Sequence, residues 1–205
     1  MIIVITGPSG CGKSTLAGRM LSEVENLEFS VSYTTREKRE TERDGKDYYF
    51  VSEDEFKRMI QEGMFVEWAV VHGNYYGTSK EALVGKNAGG DLLLDIDVQG
   101  AKQVREKIEG AVLVFILPPL FPVLKKRLEQ RAQDSPRVIA KRLEKAREEI
   151  EHYREFDYVV INDDLDLAAQ ELRSVIVGQR CRREVREKDI LPILHSFIDG
   201  NERGG

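Results

Sequence analysis

Cysteine is scarce in this chain: Cys11 and Cys181 are the two among 205 residues. Two thiols cannot build a disulfide framework, and a reducing compartment is expected. Histidine occurs three times, at His72, His152 and His195, too scattered to read as a metal cluster or a nucleophile–base relay. No stretch approaches the roughly 18 consecutive apolar residues of a membrane span. The apolar first five residues lack a basic leader and a cleavage site, so they do not read as a signal peptide. Nor is positive charge in surplus: 31 Lys and Arg against 36 Asp and Glu leave a net charge of −5. Such a chain has no general attraction for nucleic acid or an anionic membrane, so an anionic ligand needs a local cluster of cations. A cytoplasmic location is expected, with no nucleic acid and no membrane among the partners. Repeats and low-complexity segments are absent.

What is present is an ordinary globular balance, 41% hydrophobic and 33% charged residues, in a length that suits one core with small inserted pieces. Four short apolar runs, at residues 2–6, 92–96, 112–117 and 158–161, lack polar alternation and read as buried parallel strands. Helical patterns at 14–25, 98–108, 121–153 and 165–184 alternate with them, which predicts an open α/β sheet with right-handed crossovers. Residues 29–77 break the alternation. Short strand-like runs at 48–51, 65–71 and 75–76, a helical piece at 53–62, and turn chemistry at Asp44-Gly45 and Gly73-Asn74 predict a small mixed β insert. Pro136 interrupts the long charged helical stretch, giving a helix–turn–helix flap with an apolar stripe at Ile139, Leu143, Ala146, Ile150 and Tyr153. The apolar tail at 190–197 is expected to dock on the core, with a second subunit as the alternative.

Nine residues after the first strand carry the strongest signal: Gly7, Pro8, Ser9, Gly10, Cys11, Gly12, Lys13, Ser14 and Thr15. They match G-x-x-x-x-G-K-[ST], the Walker A loop. Its glycines let successive backbone N–H groups converge on phosphate oxygens, and the following helix adds the positive end of its dipole. In this motif the Lys13 ammonium takes the β/γ-phosphates and the Ser14 hydroxyl a magnesium ion. The run at 92–97 ends in Asp95 and Asp97, where a strand-end carboxylate can hold hydrated magnesium. Three classes then compete: a small-molecule kinase, a GTPase switch, and a nucleotide-free interaction module. Asp97 and Gly100 fit D-x-x-G, but no N-K-x-D motif follows, so the switch falls away.

Over nearly its whole length the chain resembles the guanylate kinases. The resemblance rests on residues 7–15, 30–36 with Arg39, 45–48, Glu67 and Trp68, 73–77, 95–100, 128–142 and 162–164. It implies an α/β fold with a P-loop nucleoside triphosphate hydrolase-type parallel core at 1–30, 82–122 and 149–205. A GMP-binding subdomain at 31–81 and a helical lid at 123–148 complete it. The implied activity is ATP:GMP phosphotransfer, moving the γ-phosphoryl group of ATP to GMP or dGMP, with Mg2+ accompanying ATP. By resemblance, residues 7–15 bind ATP, and Ser14 and Asp95 hold the metal. Lys13, Arg39, Arg127, Arg131 and Arg142 serve the transferring phosphoryl group. Arg36, Arg39, Tyr48 and Tyr76 grip the GMP phosphate; Glu67 and Asp97 read guanine, with hydroxyls from Ser32 and Thr78. One departure is Arg131-Ala132, where relatives commonly carry Arg-Gly.

The residue types suit that chemistry. Guanine presents N1–H and N2–H₂ donors where adenine presents an N1 acceptor, so an ionised carboxylate rewards guanine and opposes adenine. A phosphate acceptor is already an oxyanion, so no general base is needed. Without the resemblance, Arg36 and Arg39 among Glu37, Lys38 and Glu40 would read as an exposed charge run. A kinase of a phosphorylated sugar on the same scaffold, and a module that has lost catalysis, are the alternatives. The oligomeric state is open between monomer and homo-oligomer.

Overall fold

The first apolar run, Ile2–Thr6 (β1), lies at the centre of a five-stranded sheet in the computed structural model, which describes residues 1–84, 90–130 and 136–201. Asp91–Asp95 (β7) and Val112–Leu117 (β8) flank it; Leu27–Phe29 (β2) and Tyr158–Ile161 (β9) form the edges. The order is β2-β7-β1-β8-β9 and every pairing is parallel. β2 is the strand that periodicity does not disclose, because Leu27, Glu28 and Phe29 are too short a run to carry a pattern. β9 departs from its expected burial: Val160 is buried, while Tyr158, Val159 and Ile161 are exposed. An edge strand has one strand neighbour, not two.

Successive residues of β1 point to opposite faces, and each face has its own core. Ile3 and Ile5 pack with Leu16, Ala17 and Met20 of Lys13–Glu23 (α1) and Ala168, Leu172 and Ile176 of Leu165–Arg180 (α7). Val4 packs on the other side with Leu92, Leu94 and Leu113, under Ala101 and Val104 of Val98–Lys107 (α4). Burying each such Ile, Leu, Val or Met side chain contributes about 1.5–3 kcal/mol.

The insert forms a second sheet of Tyr33–Thr34 (β3), Tyr49–Phe50 (β4), Phe65–Val71 (β5) and Asn74–Ser79 (β6), in the order β4-β3-β6-β5. Glu53–Gln61 (α2) covers it with Phe56 and Met59, and its N-cap Ser52 accepts a hydrogen bond from Glu55 N–H. Lys80–Val84 (α3) follows β6. The β5–β6 turn is His72-Gly73, not Gly73-Asn74: both have positive φ (52° and 83°), as a two-residue type I′ turn requires, and Asn74 already pairs with Val71.

The flap is Phe121–Gln130 (α5) and Pro136–Ile150 (α6). Ala146, Ile139 and Leu143 pack on Leu124 and Leu128 of α5, but Ile150 and Tyr153 are exposed, so the expected stripe is satisfied over its first three members. A 3₁₀ turn, Glu151–Glu155, ends the flap. The helix expected at 165–184 breaks at Cys181 and Arg182, and Arg183–Asn201 (α8) starts anew. The tail does not dock on the core. Leu191, Ile193, Leu194, Phe197 and Ile198 of α8 are exposed, Phe197 to 73%.

Candidate active site

In this strand order the chain reverses direction of travel between β7 and β1, the place where parallel sheets bind ligands beyond their strand ends. Residues 7–12 leave β1 there and lead into α1. Gly7 (φ 144°) lies so close to the Ile116 carbonyl that a Cβ would collide with it, and a Cβ on Gly12 (φ 101°) would meet the Asn162 amide. That amide donates to the Cys11 carbonyl at 2.7 Å, tying the loop to the end of β9. Asn162 was not among the predicted site residues; its partner lies 151 residues away in sequence. The Cys11 side chain is fully buried in the α1 core, and burial pushes its thiol pKa up, so it is a filler and no nucleophile. Pro8 lies beside an apolar pocket with Phe121 and Leu124. Neither position lines the cavity that Lys13 and Ser14 line; the Cys11 N–H donates to the Pro8 carbonyl at 3.1 Å, and Pro8 itself has no backbone N–H.

One cavity lies between the loop and the second sheet. Gly7, Ser9, Gly10, Gly12, Lys13 and Ser14 line it from the loop, and Asp95, Ile96 and Asp97 from the end of β7. Lys13 Nζ donates to the Gly7 carbonyl at 2.7 Å. Ser14 Oγ donates to Asp95 Oδ2 at 3.2 Å, which sets a hydroxyl and a carboxylate side by side. Burial raises the Asp95 pKa, against the pull of the Lys13 charge and the Ser14 hydrogen bond. All-oxygen donors, one of them a carboxylate, fit hydrated magnesium that takes its remaining ligands from phosphates.

From the β insert come Ser32, Tyr48, Glu67, Ala69, Val71 and Tyr76. Glu67 is 2% exposed, and its Oε1 accepts from the Thr78 hydroxyl at 2.6 Å. Desolvation pushes its pKa up to about 7; Asp97 adds to this, while Thr78 and Lys107 oppose it. Thr78 is therefore placed behind Glu67, outside the cavity lining. Asp97, which also lines the cavity, is the N-cap of α4, its Oδ1 accepting from Gly100 N–H at 2.9 Å. Tyr48 is pushed up to about 12, mainly by burial, so its phenol stays a donor.

Arg36 stacks over the Tyr48 and Phe50 rings (5.5 and 5.8 Å to their centroids) and pairs with Glu42 at 2.8 Å. Arg39 reaches the same Glu42 oxygen at 3.8 Å. Glu42, absent from the predicted set, thus gathers both arginines; the sequence shows it only as one more charge in a charged loop. α6 adds Arg142, Lys145 and Glu149 to the cavity, the last two paired at 3.4 Å and neither predicted. Arg127 is elsewhere: with Gly10, Gly12, Thr15, Gln130, Asn162 and Asp163 it lines a second hollow on the other side of the loop. Its Nη2 donates to the Asp163 carbonyl at 3.5 Å, and its buried Nη1 has no hydrogen-bond partner among the described residues. Arg131 and Ala132 lie outside the described residues.

The comparisons with known proteins agree on one family. The family model described as guanylate kinase matches residues 1–179. A guanylate kinase of Geobacter metallireducens is 49% identical over 183 residues, covering 89% of this chain and 90% of that protein. One of Caldanaerobacter subterraneus is 46% identical over 191 residues, covering 93% and 92%. Among solved structures, guanylate kinase from Anaplasma phagocytophilum superposes with a TM-score of 0.73 at 35% identity, covering 92% of this chain and 94% of that one.

Proposed function

The chain belongs to the guanylate kinase family, and from that premise we propose that its cavity brings ATP and GMP, or dGMP, into line for transfer of the γ-phosphoryl group. The observation that carries the reading is that a phosphate-binding loop and two carboxylate acceptors, the buried Glu67 and the half-buried Asp97, share one cavity. The loop amides and Lys13 take the β- and γ-phosphates, and Arg142 approaches from α6. Arg36, Arg39, Tyr48 and Tyr76 hold the GMP phosphate, the two arginines exchanging their contacts with Glu42 for phosphate oxygens. Glu67 and Asp97 accept the guanine N1–H and N2–H₂ donors, with Ser32 beside them and Thr78 orienting Glu67.

A phosphate oxygen of GMP forms the new P–O bond as the bond from the γ-phosphorus to the bridging oxygen of ADP breaks. The acceptor is an oxyanion, so no side chain removes a proton. Catalysis rests on alignment and on screening two anions from each other. Ser14 and Asp95 would hold Mg2+, which when bound neutralises charge on the β- and γ-phosphate oxygens. Arg127, with its unpartnered Nη1, faces the hollow beyond Thr15 and serves the nucleotide from that side. Residues 31–81 form the GMP lobe, 123–148 the lid, and the remainder the core. The described residues hold no helix long and apolar enough to cross a membrane, and we place the protein in the cytoplasm.

ADP release from ATP, measured with GMP, dGMP, AMP, UMP and a phosphorylated sugar as acceptors, tests the reading. GMP and dGMP are expected to support turnover and AMP and UMP not to. Turnover with the sugar phosphate alone, or with none of them, would overturn it.

A further inference from the structure

The β5–β6 ladder contains one irregularity. Phe65 faces Ser79 and Glu67 faces Thr78, so Val66 is an extra residue, a β-bulge. Its consequence is directional. Strict alternation would send Phe65 and Glu67 to the same face, yet Phe65 stacks on Phe56 under α2 (4.4 Å between centroids) while Glu67 lines the cavity. The bulge therefore aims the carboxylate.

β5 is also an edge strand, so its outward backbone groups have no strand to pair with. Side chains of α4 take that place. Lys107 Nζ donates to the carbonyl of the bulged residue, Val66, at 2.5 Å. Gln103 grips the next exposed edge position with both ends of its amide: Nε2 donates to the Trp68 carbonyl at 2.7 Å, and Oε1 accepts from Trp68 N–H at 3.3 Å. Gly100 lies directly under Glu67; a Cβ there would collide with Glu67 Oε2. Positions 100, 103 and 107 share one helix face. None of the three lines the cavity.

We propose that this face of α4 positions Glu67: Lys107 fixes the bulge, Gln103 fixes the strand beyond it, and Gly100 leaves room for the carboxylate. These are positioning residues, and the inference rests on the reading of Glu67 as the group that accepts guanine. Glu67 is faced by Asp97, the N-cap of α4, by Lys107 at the end of α4 and by the Thr78 hydroxyl from β6, with Tyr48 and Tyr76 in the same cavity. Lys107 is thus also the cation that favours the ionised, accepting form.

Lys107→Met tests this, because Lys107 is exposed and its loss is expected to leave the fold intact. The expected result is a rise of about three- to tenfold in KM for GMP, with KM for ATP unchanged. The acid limb of kcat/KM for GMP should move to higher pH. Lys107→Arg, which keeps a cationic donor, should restore most of the loss. Unchanged KM for GMP, equal rises for both substrates, or an arginine variant no better than methionine would overturn the inference. Should Lys107→Met fail to fold, Gln103→Ala decides by the same GMP-to-ATP ratio: a rise for GMP alone supports the inference, and no change overturns it. Wild-type protein with no GMP-dependent turnover would instead remove the reading of Glu67, and this inference with it; an active wild type with indifferent variants defeats the inference alone.

Discussion

Glu67 answers to two opposing demands under the proposed role, since burial favours its neutral acid whereas the proposed contact with guanine rewards the ionised form. With its pKa pushed up to about 7, the free protein keeps this proton through a range where the unfolded chain has released it. Its contribution to stability is therefore greatest below the ordinary carboxylate range and is lost as pH climbs to about 7. Glu67→Gln removes that dependence, so its melting temperature relative to wild type should rise between pH 5 and pH 8; a constant difference would contradict the raised pKa. For GMP the sign reverses: below about pH 7 binding must expel the Glu67 proton, so affinity should fall with acidity. Glu67→Gln should retain only the limb due to the GMP phosphate, whose own proton leaves near pH 6 or so, and should weaken GMP while sparing ATP. Titration calorimetry across pH checks both. Lys13→Ala should lower turnover by about 10²-fold or more, and near-normal steady-state rates would defeat the assignment of the loop. Lys13 was legible because its motif is contiguous. The tasks of Glu42 and Asn162 were not, although Asn162 lies in a run that carries the resemblance, since what marks them is the company of Arg36 or of the Cys11 carbonyl in space.

Among the elements, four of the five parallel strands were readable as unbroken apolar runs, and α1, α4 and α7 because burial of one face writes a period into the sequence; β2 was too short for either. Where burial is incomplete the period misleads. β9 reads as a core strand but ends as an edge, and the last two residues of the expected flap stripe, Ile150 and Tyr153, are exposed. The bulge at Val66 is invisible in sequence, because an extra residue shows only against its partner strand. α2 follows local rules: Ser52 caps it, and Glu53, Asp54 and Glu55 sit in its first turn, favourable to the helix dipole. Ser52→Ala should destabilise the protein by about 1 kcal/mol, measured by denaturant unfolding, while leaving kcat with GMP near the wild-type value. A loss of activity without a loss of stability would mean that the cap acts on the site.

At the scale of the molecule, two sheets share one cavity, and α8 contributes to neither. The family match ends at residue 179, within α7, whose last residue, Arg180, is tied to Asp91 at 2.6 Å and to the Glu25 carbonyl. Deleting residues 183–205 should therefore leave GMP-dependent turnover and the melting temperature close to those of the full chain; a large drop in either would show that α8 supports the core. The sequence by itself determined the phosphate loop, the alternation of strands and helices, and the presence of an insert and a flap, because each depends on neighbours within a few residues. It also carried the resemblance that joined them. Only the tertiary structure decided which strands became edges, that the tail stands off the core, and which side chains meet across the cavity. Those outcomes depend on contacts between residues far apart in the chain, where one helix face can aim a carboxylate on a strand it never adjoins in sequence.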